Sequence, residues 1–292
     1  MRFYTIEINN KQFPSIQGKD GRIYPLNSLD LNFEDMNDLI SNISYSELAQ
    51  LKNLISSEQI IKFNSYALNE VKLCAPITIP KQDILCLGVN YNEHILETKE
   101  LEDFQNNEAT VYFSKHVNFA TGSGEYIPNY DFVDSLDYEV ELGVIIGKDI
   151  KNYKKSDGTD GIFGYTIIND VSARNIQFRH GQWFLGKSLD GYTPMGPCIV
   201  TPDEIPDIQN LNITCKVNGE LRQSSNTKFM IQPVFDALEE LSQGLTLKAG
   251  TIISTGTPGG VGMGMNPPQY LKSGDIVECE IEKIGSLINI VE

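Results

Sequence analysis

A chain of 292 residues with 40% hydrophobic and 21% charged side chains has the make-up of an ordinary globular protein, long enough for one large or two smaller domains. Its net charge of −16 disfavours nucleic acid or an anionic membrane as a partner. The five cysteines are odd in number, widely spaced and form no CxxC pair, which reads as buried thiols in a reducing compartment rather than disulfides or zinc ligands. The opening Met1-Arg-Phe-Tyr-Thr-Ile-Glu has no signal-peptide core, and no apolar stretch approaches ~18 residues, so a cytoplasmic protein is expected.

In chain order, residues 1–72 look like a small α/β unit ahead of a main body at 73–292. Phe3 to Ile8 alternates as a strand, Arg22 to Leu26 reads as a second, and the polar segment between them as a hairpin turn. Leu29 to Asn53 carries Leu, Ile and Met at helical spacings, which suggests one or two short amphipathic helices. The two prolines of Cys74-Ala-Pro-Ile-Thr-Ile-Pro80 end the unit. Beyond Asp83, strands are expected at 84–89, 111–114, 139–146, 164–169, 198–200, 212–217, 251–254 and 276–281. Helices are expected only near 92–101 and 231–243, the latter stopping at Gly244. Many strands and few helices predict a mostly β, α+β fold, rolled or barrel-like.

Glu139 and Glu141 stand two apart at the start of an apolar run, so on a strand both side chains share one face. Side-by-side buried anions are tolerable with a cation between them. Asp170 closes a second apolar run, and three carboxylates without Cys or His suit a hard ion such as Mg²⁺, Mn²⁺ or Ca²⁺. Alternation on a solvated strand face would produce the same pair. His94 and Glu97 are three apart, neighbours on a helical turn, where the carboxylate would orient the imidazole as a general base; taken in isolation, the pair reads more simply as a surface histidine near a helix start. Lys187, with Asp190, lies in a Gly/Pro-punctuated segment and is either a partner for a developing enolate or a solvated loop lysine. Ser254-Thr-Gly-Thr-Pro-Gly-Gly-Val-Gly262 can bring backbone N–H groups and the Thr257 hydroxyl close to an anion, or is a tight turn. It lacks the Lys-Ser/Thr ending of a nucleotide loop.

Together, Gly88-Val-Asn-Tyr-Asn-Glu-His94, Asp137-Tyr-Glu-Val-Glu-Leu142, Asn169-Asp-Val-Ser-Ala-Arg174, Lys187-Ser-Leu-Asp190 with Pro194-Met-Gly-Pro197, and Gly256-Thr-Pro-Gly-Gly-Val-Gly262 resemble the fumarylacetoacetate hydrolase family. The resemblance spans about residues 74 to 292. It implies a rolled β-sheet catalytic domain, usually homodimeric, that holds a Mg²⁺-type ion and acts on a small carboxylate substrate. It implies Glu139, Glu141 and Asp170 as metal ligands and His94 with Glu97 as the dyad that activates water on a lid segment, Glu93 to Asn107. Lys187 would face the substrate's enolate oxygen. Gly256 and Thr257 would meet its carboxylate, and Gln177 and Asp190 would contact it further. The implied reaction is metal-dependent hydrolysis of a C–C bond in an acylpyruvate or 2,4-diketo acid. Isomerisation, decarboxylation of oxaloacetate and ureidoglycolate cleavage are alternatives at the same site. Asn175, where an Asp usually follows Ser-Ala-Arg, and His116, where a proline is common, depart from the pattern.

A non-catalytic binding protein on this fold would be expected to lack a ligand or the His/Glu pair, and all are present. A carboxylate glycosidase needs two carboxyls astride a sugar, whereas Glu139 and Glu141 share one strand face.

Overall fold

The computed structural model describes residues 1–98 and 110–292, and among them the strands form three sheets. The largest has ten strands. In spatial order nine of them are Ile23–Pro25, Lys11–Gln17, Arg2–Ile8, Met195–Val200, Ile162–Asn169, Val140–Ile146, Ile252–Ser254, Ile84–Gly88 and Val111–Lys115, with Lys72–Leu73 added beside Arg2–Ile8. A five-stranded sheet runs Glu220–Asn226, Asn212–Val217, Ile276–Ile281, Gly285–Val291, Tyr126–Ile127, and Leu136–Asp137 pairs with Ser172–Ala173. The fold is mixed, with more strand than helix. The large sheet stays open at both edges, so no barrel closes among the described residues.

Val140–Ile146 and Ile162–Asn169 are buried along their whole lengths. Their near-continuous apolar character follows from cover on both faces. Leu142, Val144 and Ile146 face a core shared with Ile213, Cys215, Val277 and Cys279 of the second sheet and with the Val234–Gly244 helix. Ile145, with the opposite parity, packs in a core with Phe3, Ile16, Leu39, Ile40 and Leu51. The first residues of the chain thus complete one face of the central sheet, and Arg2–Ile8 continues that sheet by pairing Phe3 with Ile199. Two helices cover it. Met36–Asn42 is capped by Asp35, which accepts from the Asp38 N–H, and Tyr45–Ser56 by a reciprocal Ser44/Glu47 capping box.

Several expectations change. The polar segment expected as one turn contains the Lys11–Gln17 strand, because Asn9 and Asn10 both take positive φ (51° and 60°) and close a two-residue hairpin. The strand expected from Glu139 begins at Val140, and the helix expected at 231 begins at Val234, after Pro233. The helix near 92 is described over Asn92–Thr98, and its expected continuation to Leu101 lies outside the described residues, as does much of the expected lid. No described helix is long and apolar enough to cross a membrane, and all five cysteines are buried and unpaired.

Candidate active site

The carboxylates of Glu139, Glu141 and Asp170 are buried and offer ligand atoms all within 4.8 Å of one another. Two adjacent central strands bring them together: Glu139 precedes Val140–Ile146, which carries Glu141, and Asp170 follows Ile162–Asn169, whose Ile168 lies opposite Glu141. The backbone then locks the pair, since Asp170 N–H donates to Glu139 O (2.8 Å) and Glu139 N–H to Asn169 Oδ1 (2.9 Å).

Three buried cations hold this cluster. Lys187 Nζ donates to Glu139 Oε2 and Asp170 Oδ2, each at 2.7 Å. Lys115 Nζ donates to Asp170 Oδ1 at 2.6 Å and to Val171 O at 3.1 Å. Arg174 bridges Glu139 Oε1 (2.7 Å) and Asp137 Oδ2 (2.9 Å). Glu141 is held by neutral donors instead, Ser254 Oγ at 2.6 Å and Gly256 N–H at 2.8 Å, both on its Oε2. The electrostatics follow from these contacts. Burial alone would raise Glu139, but Lys187 and then Arg174 outweigh it and hold the carboxyl at about 2. Burial, together with Asp170 and Glu139, pushes Glu141 up to about 8. Burial pulls Lys187 down, yet Asp170 and Glu139 carry it above the usual lysine value; for Lys115 burial wins and its value falls.

Four buried carboxylates, Asp137 included, face three cations, so ionising all four leaves one negative charge in excess, and Glu141, the one without a cation, is the carboxyl that holds its proton until a cation arrives. All-oxygen donors, close spacing and that excess fit a hard divalent ion.

A narrow cavity of about 20 Å³ opens onto the cluster, lined by Glu139, Glu141, His94, Arg174, Gln177, Lys187 and Thr257, with Phe113 and Trp183 on its apolar side. The Trp183 and Phe113 rings meet edge to face, 5.2 Å between centroids. His94 Nδ1 lies 3.5 Å from Glu97 Oε2, and the other Glu97 oxygen accepts from Gly260 N–H at 2.5 Å, which ties the dyad to the glycine-rich loop. Gln177 is buried and its Oε1 accepts from Arg174 Nη1 (3.0 Å). The structure does not bring Asp190 to the cavity wall: it is exposed at the turn before Gly191 and accepts from Asn118 Nδ2 at 2.9 Å. Of the two departures, Asn175 donates to Phe132 O and His116 pairs with Asp83 at the surface.

Gly256 is required where it stands. It takes φ +85°, and a Cβ there would lie 2.7 Å from Asn90 Cβ and 2.9 Å from Leu87 O. Gly256→Ala should therefore cost about 1–3 kcal/mol from the backbone conformation alone, measurable by urea unfolding. It should also displace the N–H that Glu141 accepts.

Lys115, Asp137, Arg174, Gln223 and Ser254 join the site with no role marked by the sequence pattern. Asp137 is fully buried and also accepts from Gly262 N–H (2.7 Å) and Met263 N–H (3.1 Å), so it joins Arg174 to the end of the glycine-rich loop. The signal available in the sequence was its place beside the carboxylate pair.

The family profile described as fumarylacetoacetate (FAA) hydrolase C-terminal matches residues 83–292. Over 300 aligned residues the chain is 38% identical to the oxaloacetate tautomerase YisK of Bacillus subtilis (strain 168), covering 99% of each. It superposes on a fumarylacetoacetate hydrolase from psychrophilic Exiguobacterium antarcticum with a TM-score of 0.83 and 34% identity, over 100% of this chain and 99% of that one. A maleylpyruvate hydrolase from Sphingobium sp. SYK-6, solved with manganese(II) and pyruvate, gives 0.78 and 25% over 100% and 98%. With the family motifs folded into one buried site and the likeness running the length of the chain, this protein is an enzyme of the fumarylacetoacetate hydrolase family.

Proposed function

We propose that the chain catalyses keto–enol proton transfer on a short 2-oxo dicarboxylate such as oxaloacetate, with a divalent ion held by Glu139, Glu141 and Asp170. The observation that carries this reading is the buried carboxylate triad, spanned by Lys187 and open to a cavity that His94 also lines. The full-length likeness to an oxaloacetate tautomerase supports the choice of reaction.

Mg²⁺ or Mn²⁺ (or Ca²⁺) held there by Glu139, Glu141 and Asp170 would supply a Lewis acid for the carbonyl oxygen and, with Glu141 ionised against it, would leave the site net positive toward an anionic substrate. The chain's own residues do the rest. His94, oriented by Glu97, takes the proton from the carbon beside the keto group. Lys187 donates toward the oxygen on which negative charge develops. Arg174 occupies the carbonyl end of Gln177, so its NH₂ end is left for a substrate carboxylate. The glycine-rich loop at Gly256 and Thr257 borders the same space. Residues 1–72 and 73–292 are read as a small N-terminal unit and a catalytic domain that share one sheet, in a homodimer of the reducing cytoplasm; five unpaired thiols suit that compartment.

The His94–Glu97 pair favours a second reading, hydrolysis. In it His94 takes a proton from water, the resulting hydroxide attacks a second carbonyl two carbons along, and the C–C bond breaks to leave an enolate and a carboxylic acid. Decarboxylation and ureidoglycolate cleavage would use the same ligands.

Chelator-stripped enzyme reloaded with Mn²⁺ separates these readings. Decay of the oxaloacetate enol absorbance without CO₂ release is the expected result, and it should stop in EDTA. Cleavage of an acylpyruvate with the oxaloacetate enol untouched would select the hydrolase, and full activity in chelator would reject the metal.

A further inference from the structure

Ile252–Ser254 runs antiparallel to Val140–Ile146, with Ser254 opposite Gly143. Backbone pairing continues one step further, to the Thr255 N–H on Leu142 O at 3.1 Å. There the chain turns away through Gly256, which frees the Gly256 N–H for Glu141. Val140, the residue between Glu139 and Glu141, is served on this side by side chains. Its N–H donates to Gln223 Oε1 at 3.1 Å and its carbonyl accepts from Thr257 Oγ1 at 2.9 Å.

Gln223 reaches this point from Glu220–Asn226, the edge strand of the other sheet, and is fully buried. The two protons of its Nε2 go to Thr257 Oγ1 (2.7 Å) and Pro258 O (2.8 Å). A threonine hydroxyl has a single proton, and that of Thr257 is spent on Val140 O. Gln223, Val140 and Thr257 therefore form a closed hydrogen-bond circuit between the carboxylate strand and the glycine-rich loop.

We propose that Gln223 is a positioning residue that fixes the carboxylate strand against the Thr257 loop, and that the Thr257 hydroxyl serves this circuit rather than the substrate. Its metal and kinetic readouts rest on the function proposed above; its structural readout does not.

The test uses Gln223→Leu, Gln223→Glu, Thr257→Val and Thr257→Ser in the full chain. Gln223→Glu keeps an oxygen for the Val140 N–H but sets a carboxylate against Pro258 O, so it covers the case in which the leucine variant does not fold. Amide hydrogen exchange should accelerate about tenfold or more across residues 138–142 and 255–258 in Gln223→Leu and Thr257→Val, where the Val140 N–H or carbonyl loses its partner, and across 255–258 in Gln223→Glu, where Thr257 and Pro258 lose the Nε2 donor. Mn²⁺ affinity should fall about tenfold, the scale of a lost outer hydrogen bond at a metal site. Gln223→Leu combined with Thr257→Val should be no worse than the worse single change, since one circuit is broken either way. Thr257→Ser keeps the hydroxyl and should show parental exchange across both segments.

Unchanged exchange in folded Gln223 and Thr257→Val proteins overturns the proposal whatever the parent binds. So does a Thr257→Val protein with raised KM but parental exchange and Mn²⁺ affinity, which would return the hydroxyl to the substrate. A parent that binds no Mn²⁺ refutes the proposed function, while the exchange data still judge the circuit.

Discussion

Glu141→Gln should weaken Mn²⁺ binding by more than ~100-fold, beyond the loss that outer-shell changes cause at metal sites, and leave the metal-free protein at least as stable as the parent. The opposite signs come from one count. Four buried carboxylates face three cations, and Glu141 is the member held by a hydroxyl and a backbone N–H rather than by a cation. A glutamine carbonyl still accepts from Ser254 and Gly256 and cannot ionise, while an ion would lose a ligand. From the ordinary 4.5 up to about 8, Glu141 ionises in the unfolded parent but keeps its proton in the metal-free fold, so the parent loses stability as pH rises through that window and the variant gains on it. Calorimetric titration with Mn²⁺ and urea unfolding in chelator read the two effects separately. Lower stability together with parental affinity would contradict both halves.

Lys187→Met should destabilise the chelated protein by about 3–5 kcal/mol, the usual cost of removing one partner from a buried ion pair. Lys187 neutralises Glu139 and Asp170 together, and without it both stay buried with weaker compensation from Arg174 and Lys115. Turnover should fall ~10²–10³-fold if the ammonium also faces the developing oxyanion. Mn²⁺ should restore part of the lost stability, because an ion can take over the neutralisation. Lys187→Arg keeps the charge and should stay near the parent in unfolding assays. A methionine variant as stable as the parent in EDTA would show that the lysine is not what makes the carboxylates tolerable.

The elements legible in the sequence were those whose pattern reflects their own burial. Asn212–Val217 and Ile276–Ile281 alternate, and both stand where the alternation puts them. Glu220–Asn226 reads Glu-Leu-Arg-Gln-Ser-Ser-Asn, an edge strand with one apolar residue, so nothing in its periodicity announces a strand, and Gln223 stayed hidden with it. Gly285–Val291 places a buried Asn289 among its inward positions, which breaks the same signal. In the site, the carboxylate spacing was readable because two residues on one strand settle their own relation. The cations were not, because Lys115 and Arg174 gain their meaning only when Asp170 and Glu139 arrive from elsewhere in the chain, and a lysine read alone is most simply a solvated one.

The order of the large sheet also sets when it can exist. Arg2–Ile8 waits for Met195–Val200, and Ile84–Gly88 for Ile252–Ser254, so neither seam can close until most of the polypeptide has been synthesised. Until then the hairpin made by the first seventeen residues holds Phe3 and Ile16 without their eventual cover. Contacts so distant in sequence make for slow folding and a long window for aggregation. Yield in a foreign host should therefore respond more to growth temperature and chaperone supply than to any change at the catalytic centre.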